Sequence, residues 1–163
     1  MAIEETSLIL IPARYASTRF PGKPLVDIAG KPMVQHVYEK AAVVSDHVYV
    51  ATDDKRIYDA VLAFGGRAVM TSDTHRSGTD RCYEAYTKVK ELLQRNFDVV
   101  VNVQGDEPFI QPSQLEAVKR CFDDPATDIA TLVKPFTEAD GLAALENPNS
   151  PKVVLDAQSR AIY

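Results

Sequence analysis

Residues 7–11 read SLILI, and residues 12–25, which follow them, read PARYASTRFPGKPL. The first segment is a short, continuously apolar run, which is typical of a strand buried on both faces of a parallel sheet. The second contains three prolines, a glycine and several polar residues, so it predicts a connecting loop. Together they predict the first strand of an α/β protein and the loop that leaves it.

Three further segments share this strand-like character, and three others repeat apolar residues at helical spacing. The strand-like segments are residues 47–51, 67–70 and 98–103, and the helix-like segments are residues 32–44, 78–93 and 112–122. Ser113 and Glu116 stand at capping-box spacing near the start of the last helix. This alternation predicts a three-layer, doubly wound, mostly parallel sheet with a Rossmann-like α/β fold.

The chain of 163 residues is 45% hydrophobic, which is enough apolar material for a single globular domain. The strand–helix rhythm changes after about residue 125. Residues 128–133 and 152–156 are predicted to be strands, with a short helix near residues 138–145. The last four residues, 160–163, resemble the start of another strand, so we expect a chain cut short within an ordered element.

The net charge and the two cysteines indicate which binding partners and which cellular compartment to expect. The formal net charge of −5 argues against nucleic acid or an anionic membrane as the partner. No apolar run approaches the ~20 residues that a membrane-spanning helix needs, and the acidic N-terminus is unlike a secretory signal. Cys82 and Cys121 are expected to be buried, reduced thiols. These features predict a cytoplasmic protein.

The loop after the first strand is unusually basic. It carries Arg14, Arg19 and Lys23, and no acidic residue occurs between Thr6 and Val26. In open α/β sheets, ligands bind beyond the carboxyl ends of the strands. Arginine suits phosphate oxygens and lysine adds a mobile charge, so the loop predicts a triphosphate site. The alternative is a solvated basic loop.

Two common phosphate-binding motifs are excluded by spacing. A P-loop requires a glycine five residues before the Gly22–Lys23 pair and a Ser or Thr after it. Ser17 and Pro24 occupy those positions. The chain also lacks the G-x-G-x-x-G dinucleotide fingerprint, so the predicted grip on phosphate is of another type.

A carboxylate is predicted at the same edge of the sheet. Residues 98–103 lead into Gln104, Gly105, Asp106 and Glu107. Mg²⁺ prefers carboxylate oxygens and is usually held by only one or two of them plus phosphate. Asp106 is therefore the candidate metal ligand, while Glu107 is either a second ligand or a cap. An ordinary acidic turn is the alternative.

Residues 74–81 follow the third predicted strand and open a helix. Backbone N–H groups at a helix start, beside Ser77, Gly78 and Thr79, can bind a phosphate or a polar base edge. The alternative is that Ser77 or Thr79 only caps the helix.

Four segments together resemble the 3-deoxy-manno-octulosonate cytidylyltransferases, or CMP-Kdo synthetases. They are residues 12–25, 75–81 (HRSGTDR), 101–108 (VNVQGDEP) and 152–156 (KVVLD), and the resemblance runs along the whole chain. It implies transfer of CMP from CTP to 3-deoxy-D-manno-octulosonate (Kdo), with release of pyrophosphate, for lipopolysaccharide synthesis. It also implies a nucleotide-diphospho-sugar transferase fold, Mg²⁺ as cofactor and a cytoplasmic homodimer.

The resemblance also assigns residues to roles at matching positions. Arg14, Lys23 and Asp106 would be catalytic, with Asp106 binding Mg²⁺. Gln104 and Arg19 would contact the sugar. The CTP-binding set would comprise Pro12, Ala13, Arg14, Arg19, Lys23, Arg76, Ser77, Gln104 and Asp106.

Members of this family are about half as long again as this chain. The resemblance therefore implies a nucleotide-binding core at about residues 1–125, followed by the start of a sugar-binding and dimerisation part at residues 126–163. Most sugar contacts and a second acidic metal ligand would lie beyond it, so we expect little or no turnover from this chain. Two alternatives remain open, a cytidylyltransferase for another acidic sugar such as sialic acid and a non-catalytic CTP-binding fragment.

Overall fold

The computed structural model describes residues 7–16 and 20–163. Arg19, to which a role was assigned above, lies outside the described residues. The chain forms two compact units, Met1–Ala130 and Thr131–Tyr163.

In the described part of the larger unit, the strands and helices follow one another in the predicted alternation. Their order is β1 (Ser7–Pro12), β2 (Asp27–Ile28), β3 (Lys31–Pro32), α1 (Met33–Ala42), β4 (Val48–Thr52), α2 (Lys55–Ala63), β5 (Ala68–Met70), α3 (Gly78–Leu93), β6 (Val99–Asn102) and α4 (Pro112–Arg120). Single 3₁₀ turns occupy Lys23–Leu25 and Cys121–Asp123. Helix α2 and the β2–β3 hairpin have no counterpart in the sequence predictions.

The central sheet has the strand order β5-β4-β1-β6, and every pair in it is parallel. The chain first moves outward from β1 through β4 to β5, and then crosses back to place β6 on the other side of β1. Side chains of α1, α2 and α4 join one core cluster, whereas α3 packs into the cluster on the opposite face. The predicted doubly wound, three-layer α/β fold is confirmed.

Strand β1 is the centre of both cores because its side chains alternate between the two faces. Ile9 and Ile11 pack against the α1 side, and Leu8 and Leu10 pack against the α3 side, all fully buried. The prediction of burial on both faces is wrong for β6, where Val100 is 42% exposed. Strand β6 lies at the edge of the sheet, and an apolar run does not reveal edge position.

Helix α4 begins differently from the prediction. The N-cap is Gln111, whose backbone N–H donates to Gln114 Oε1 at 2.8 Å, and not Ser113. Pro112 occupies the first helical position, where its fixed φ is favourable and its missing N–H costs nothing. Since the residue before that position must be the N-cap, the proline moves the cap to Gln111.

The carboxyl ends of β1 and β6 lie side by side at the topological switch point of the sheet. The strands extend in register from Ser7–Val99 to Leu10–Asn102, and Val103 donates its backbone N–H to the carbonyl of Leu10 at 2.9 Å. A Cβ on Gly105 would lie 2.9 Å from the carbonyl oxygen of Pro12. The absence of a side chain at Gly105 therefore allows the two loops to touch backbone to backbone.

The smaller unit contains a short helical segment and a hairpin. A 3₁₀ turn at Glu138–Asp140 runs into helix α5 (Gly141–Glu146), in agreement with the predicted short helix. The chain then reverses, so that Val154 exchanges backbone hydrogen bonds with Ile162 and Tyr163. No residue of this unit is buried. Its large apolar side chains are therefore accessible to solvent, and Tyr163 is 93% exposed.

The two strands predicted at residues 128–133 and 152–156 are wrong. Residues 128–133 form no strand, and the second segment forms only an isolated antiparallel bridge between Leu155 and Ala161. Residues 160–163 take part in this bridge and form no strand of their own. A strand requires a neighbouring ladder for its backbone groups, and β-branched composition alone does not supply one.

Two further predictions from the sequence concern the cysteines and a membrane-spanning helix. Cys82 and Cys121 are both free, but only Cys82 is buried, since Cys121 lies at the exposed end of α4. Burial raises the pKa of the Cys82 thiol to about 11. No helix in the described ranges is both long enough and apolar enough to cross a bilayer.

The contact between the β1 and β6 loops can be tested with a glycine substitution. Gly105→Ala should lower the free energy of unfolding by about 1–3 kcal/mol, because its Cβ would press on the Pro12 carbonyl. Gly78→Ala is the matched control, since its nearest atom, Pro12 Cγ, is 3.4 Å away. Urea denaturation of both variants measures the difference, and equal stabilities would show that the close approach carries no strain.

Candidate active site

A cavity of about 570 Å³ opens where the β1 and β6 strands end. It is lined by Pro12, Ala13, Arg14, Phe20, Lys23, Pro24, Gln104, Gly105 and Asp106. Six of these nine residues were predicted as site residues from the sequence. The first loop and the β6 loop therefore meet in one cavity, as the predicted strand ends require.

The cavity contains an ion pair between the two loops. Lys23 Nζ lies 2.7 Å from Asp106 Oδ2, and the two side chains are 39% and 52% exposed. The residues are 83 positions apart in the sequence, so only the sheet brings them together. Both charges remain accessible to solvent, and hence to a charged ligand.

The backbone of the first loop places Lys23. Gly22 has φ +72° and caps the 3₁₀ turn that begins at Lys23. Its N–H donates to the carbonyl of Tyr15 at 2.9 Å, while a Cβ on it would lie 3.0 Å from the Tyr15 ring. The guanidinium of Arg56 lies over that ring, 3.3 Å from its centroid. Arg56 also binds Asp54, so helix α2 supports the loop.

Arg14 and Gln104 complete the polar wall of the cavity. Arg14 is exposed and has no hydrogen-bond or ion-pair partner within residues 7–16 and 20–163. Gln104 donates from Nε2 to Asn102 Oδ1 at 3.1 Å. The remaining predicted cation, Arg19, lies outside the described residues, so its position relative to the cavity stays a prediction.

Arg76 and Ser77 do not line the cavity, but the start of α3 lies beside it. A Cβ on Gly78 would be 3.4 Å from Pro12 Cγ and 4.0 Å from Gln104 Nε2. Ser77 is the N-cap of α3, and its Oγ accepts a hydrogen bond from Asp80 N at 3.1 Å. Ser77 therefore caps the helix, Thr79 lies within it, and a contact of Ser77 with a ligand stays a prediction.

A buried arginine ties the neighbouring loops together. The Arg81 guanidinium is 4% exposed and donates to Asp53 Oδ2 at 2.6 Å and to Thr71 Oγ1 at 2.5 Å. Asp53 follows β4 and Thr71 follows β5, so a single side chain of α3 joins two strand ends. The sequence did not reveal this role, because nothing in the pattern distinguishes Arg81 from a solvated charge at a helix start.

Glu84 makes a second set of contacts one turn further along α3. Its carboxylate accepts hydrogen bonds from Lys88 Nζ, from the backbone N–H of Ser72 and from His75 Nε2. These donors, the Lys88 ammonium most strongly, lower the pKa of Glu84 to about 2. The carboxylate is therefore charged over the whole physiological range.

The donor set near the cavity suits a metal held by few protein ligands. No group of three or more His, Cys, Asp or Glu side chains in the described ranges forms a metal cluster. Asp106 is the carboxylate that lines the cavity, and Glu107 is exposed beside it. One carboxylate fits Mg²⁺, which completes its shell with phosphate oxygens and water.

The fold and the cavity define an α/β protein with a charged cavity at the carboxyl ends of its parallel strands, and comparisons with known proteins give the family. A family model described as cytidylyltransferase matches residues 8–163. The chain therefore belongs to the cytidylyltransferase family.

Individual relatives indicate which cytidylyltransferases the chain is similar to. The 3-deoxy-manno-octulosonate cytidylyltransferases of Phocaeicola vulgatus and Bacteroides thetaiotaomicron are 68% and 65% identical to it over 154 residues. The solved structure of CMP:2-keto-3-deoxy-manno-octonic acid synthetase complexed with CTP is 46% identical, with a TM-score of 0.85 over 96% of this chain and 62% of that one. These findings confirm the resemblance inferred from the motifs. The chain covers 60% of the length of the two relatives.

The Lys23–Asp106 and Arg81–Asp53 ion pairs should differ sharply in their contribution to the free energy of unfolding. Lys23→Met should lower the free energy of unfolding by less than about 1 kcal/mol, since an exposed pair contributes little. Arg81→Met should cost about 3–5 kcal/mol, since it leaves Asp53 unpaired at a largely buried site. Urea denaturation near neutral pH compares the two variants. Equal losses would contradict the assignment of Arg81 as a structural cross-link.

Glu84 should make stability depend on pH. Its pKa is about 2 in the folded chain against an ordinary value of 4.5. The contribution of the Glu84 carboxylate to the free energy of unfolding is therefore complete above its ordinary pKa of 4.5, and it is lost as the pH falls toward 2. At about pH 6, Glu84→Gln should be less stable than the native chain by about 1–3 kcal/mol. This gap should close in urea denaturation between about pH 5 and pH 2, whereas a constant gap would contradict the origin in charge.

Proposed function

We propose that this chain is the nucleotide-binding part of an enzyme that transfers CMP from CTP to Kdo and releases pyrophosphate. The observation that carries the proposal is the pairing of Lys23 with Asp106 across the cavity at the switch point of the sheet. The cavity presents one cation for phosphate, one carboxylate for a divalent metal, and a further exposed cation in Arg14. The family relationship and the similarity to a synthetase complexed with CTP support the same reaction.

The proposed chemistry requires positioning and charge stabilisation more than covalent participation by the protein. A hydroxyl oxygen of the sugar forms a bond to the α-phosphorus of CTP and loses its proton to water, and the bond from that phosphorus to the pyrophosphate oxygen breaks. Negative charge accumulates on the leaving pyrophosphate. Lys23 and Arg14 would bind and neutralise it, and their placement on a loop fixed by Gly22 and Tyr15 would orient the triphosphate.

Asp106 would hold Mg²⁺, which when bound supplies charge neutralisation on the phosphate oxygens. In the structure this carboxylate is paired with Lys23. Binding of the metal–nucleotide complex would therefore separate the pair, with Lys23 turning toward phosphate and Asp106 toward the metal. Each charge would exchange one partner of opposite sign for another, so neither would be left unpaired.

The nucleoside and the sugar would be held by the flanking loops. Pro12, Ala13, Arg76 and Ser77 would contact the cytidine, and Gln104 would lie between sugar and nucleotide. The adjacency of Gly78 to Pro12 and Gln104 supports this arrangement, because it puts the start of α3 next to the cavity. Arg19 would add to the sugar and phosphate contacts.

The proposal extends to the setting that the family relationship implies. The whole protein would act as a cytoplasmic homodimer in lipopolysaccharide synthesis. The close similarity to 3-deoxy-manno-octulosonate cytidylyltransferases favours Kdo over sialic acid as the acceptor.

Substitution of the paired charges tests the proposed reaction. In the longest form of the protein that the gene encodes, Lys23→Ala and Asp106→Asn should each lower kcat/KM by an amount equivalent to about 2–4 kcal/mol, the size of a preorganised charge contact. Lys55→Ala removes a cation that is 81% exposed on α2 and should have no effect. Pyrophosphate release from CTP, Mg²⁺ and Kdo is the measurement.

The same assay with sialic acid separates the two acceptors, and turnover of sialic acid without turnover of Kdo would contradict the proposal. Calorimetry with CTP and Mg²⁺ on the 163-residue chain supplies an independent measure of nucleotide binding. Binding without pyrophosphate release from the longest form would favour a non-catalytic nucleotide-binding protein instead.

A further inference from the structure

In the loop between β5 and α3, residues 71–77, the uncommitted side chain of Arg76 lies between two anchored ones. Arg76 is exposed and has no hydrogen-bond or ion-pair partner in the described part of the chain. Its neighbours on either side are both bonded to α3, His75 through Glu84 and Ser77 through Asp80. The backbone around Arg76 is thus fixed while its guanidinium is left available for a ligand.

Glu84 fixes this loop at two points with one carboxylate. Its Oε2 accepts a hydrogen bond from the backbone N–H of Ser72 at 2.9 Å and another from His75 Nε2. Its Oε1 accepts from Lys88 Nζ at 2.7 Å, which holds the carboxylate in place from the helix side. A carboxylate can only accept hydrogen bonds, so His75 carries its proton on Nε2.

Arg81 holds the base of the same loop. It donates to Thr71 Oγ1 and to the carbonyl of Ser72, at 2.5 Å and 3.3 Å. Arg81 and Glu84 are three residues apart on α3 and therefore lie on one face of the helix. The start of the loop is held by Arg81, its middle by Glu84, and its end by the Ser77 cap.

We infer that Glu84 is a positioning residue that, through Ser72 and His75, holds the β5–α3 loop in the form in which Arg76 meets the nucleoside part of CTP. This inference rests on the proposed function. A loop that is already ordered loses less conformational freedom when its ligand binds, so preorganisation appears directly as affinity. The effect should be confined to the nucleoside, because the proposed triphosphate contacts, Lys23 and Arg14, lie on a different loop.

The test compares two probes on Glu84→Gln, namely CTP with Mg²⁺ and inorganic triphosphate with Mg²⁺. Glutamine keeps the shape of the side chain but removes the charge that Ser72, His75 and Lys88 bind. The dissociation constant for CTP should rise about tenfold, as expected when a preorganised loop must be ordered by its ligand. The dissociation constant for inorganic triphosphate should change by less than about twofold, because its grip does not involve this loop.

Asp59→Asn provides a matched control. Asp59 pairs with Lys55 at i,i+4 on α2, as Glu84 pairs with Lys88 on α3, and its substitution changes the net charge equally. It should leave binding of both probes unchanged. His75→Ala is the second variant and removes only the loop side of the contact. Because His75 acts through Glu84, the double variant should lose no more affinity for CTP than Glu84→Gln alone.

The outcomes separate the positioning role from the proposed function. Native-like CTP binding by Glu84→Gln would overturn the positioning role, as would an equal loss of both probes, which indicates general loosening of the structure. Circular dichroism identifies an unfolded variant, and His75→Ala, which leaves the Ser72 and Lys88 contacts intact, then carries the test. A native chain that binds inorganic triphosphate but not CTP would overturn the proposed function, and the inference with it.

Discussion

The proposed site depends on the contact between the ends of β1 and β6, the two neighbouring strands at the switch point of the sheet. Parallel pairing continues to the last residues of β6, and the two loops then meet backbone to backbone because Gly105 has no side chain to separate them. Everything else at the cavity follows from this approach. It brings Lys23 within hydrogen-bond distance of Asp106, 83 positions away, and gives the cavity its two walls.

The charges around the cavity divide into an exposed group and a buried group with different roles. Lys23, Asp106, Arg14 and Arg76 are accessible and contribute little to stability, which leaves them available for a ligand. Arg81 is buried with Asp53, and the partly buried Glu84 joins the β5–α3 loop to α3. The buried group cannot contact a ligand, but it fixes the backbone on which an exposed charge stands. Charged side chains of the same types thus fix the backbone where they are buried and remain available to a ligand where they are exposed.

Much of the fold was predictable from local pattern. Strands β1, β4, β5 and β6 and helices α1, α3 and α4 were predicted to within a few residues, since buried strands and amphipathic helices have distinct periodicities. The failures have physical reasons. Residues 128–133 and 152–156 have the composition of strands but no neighbouring ladder to pair with, and Pro112 moved the cap of α4 by imposing its own backbone angle.

The sequence by itself determined the doubly wound order of strands and helices, the basic loop of residues 12–25, the carboxylate at Asp106 and the family to which these belong. All of these are local features, readable from residue type and spacing. Only the tertiary structure decided that Lys23 pairs with Asp106, that Arg56 covers Tyr15, and that Arg81 and Glu84 are anchors while Arg76 is exposed. The reason is that burial and side-chain contacts depend on residues far apart in the chain. Side chains of the same type, such as Arg76 and Arg81, therefore have different roles in different surroundings.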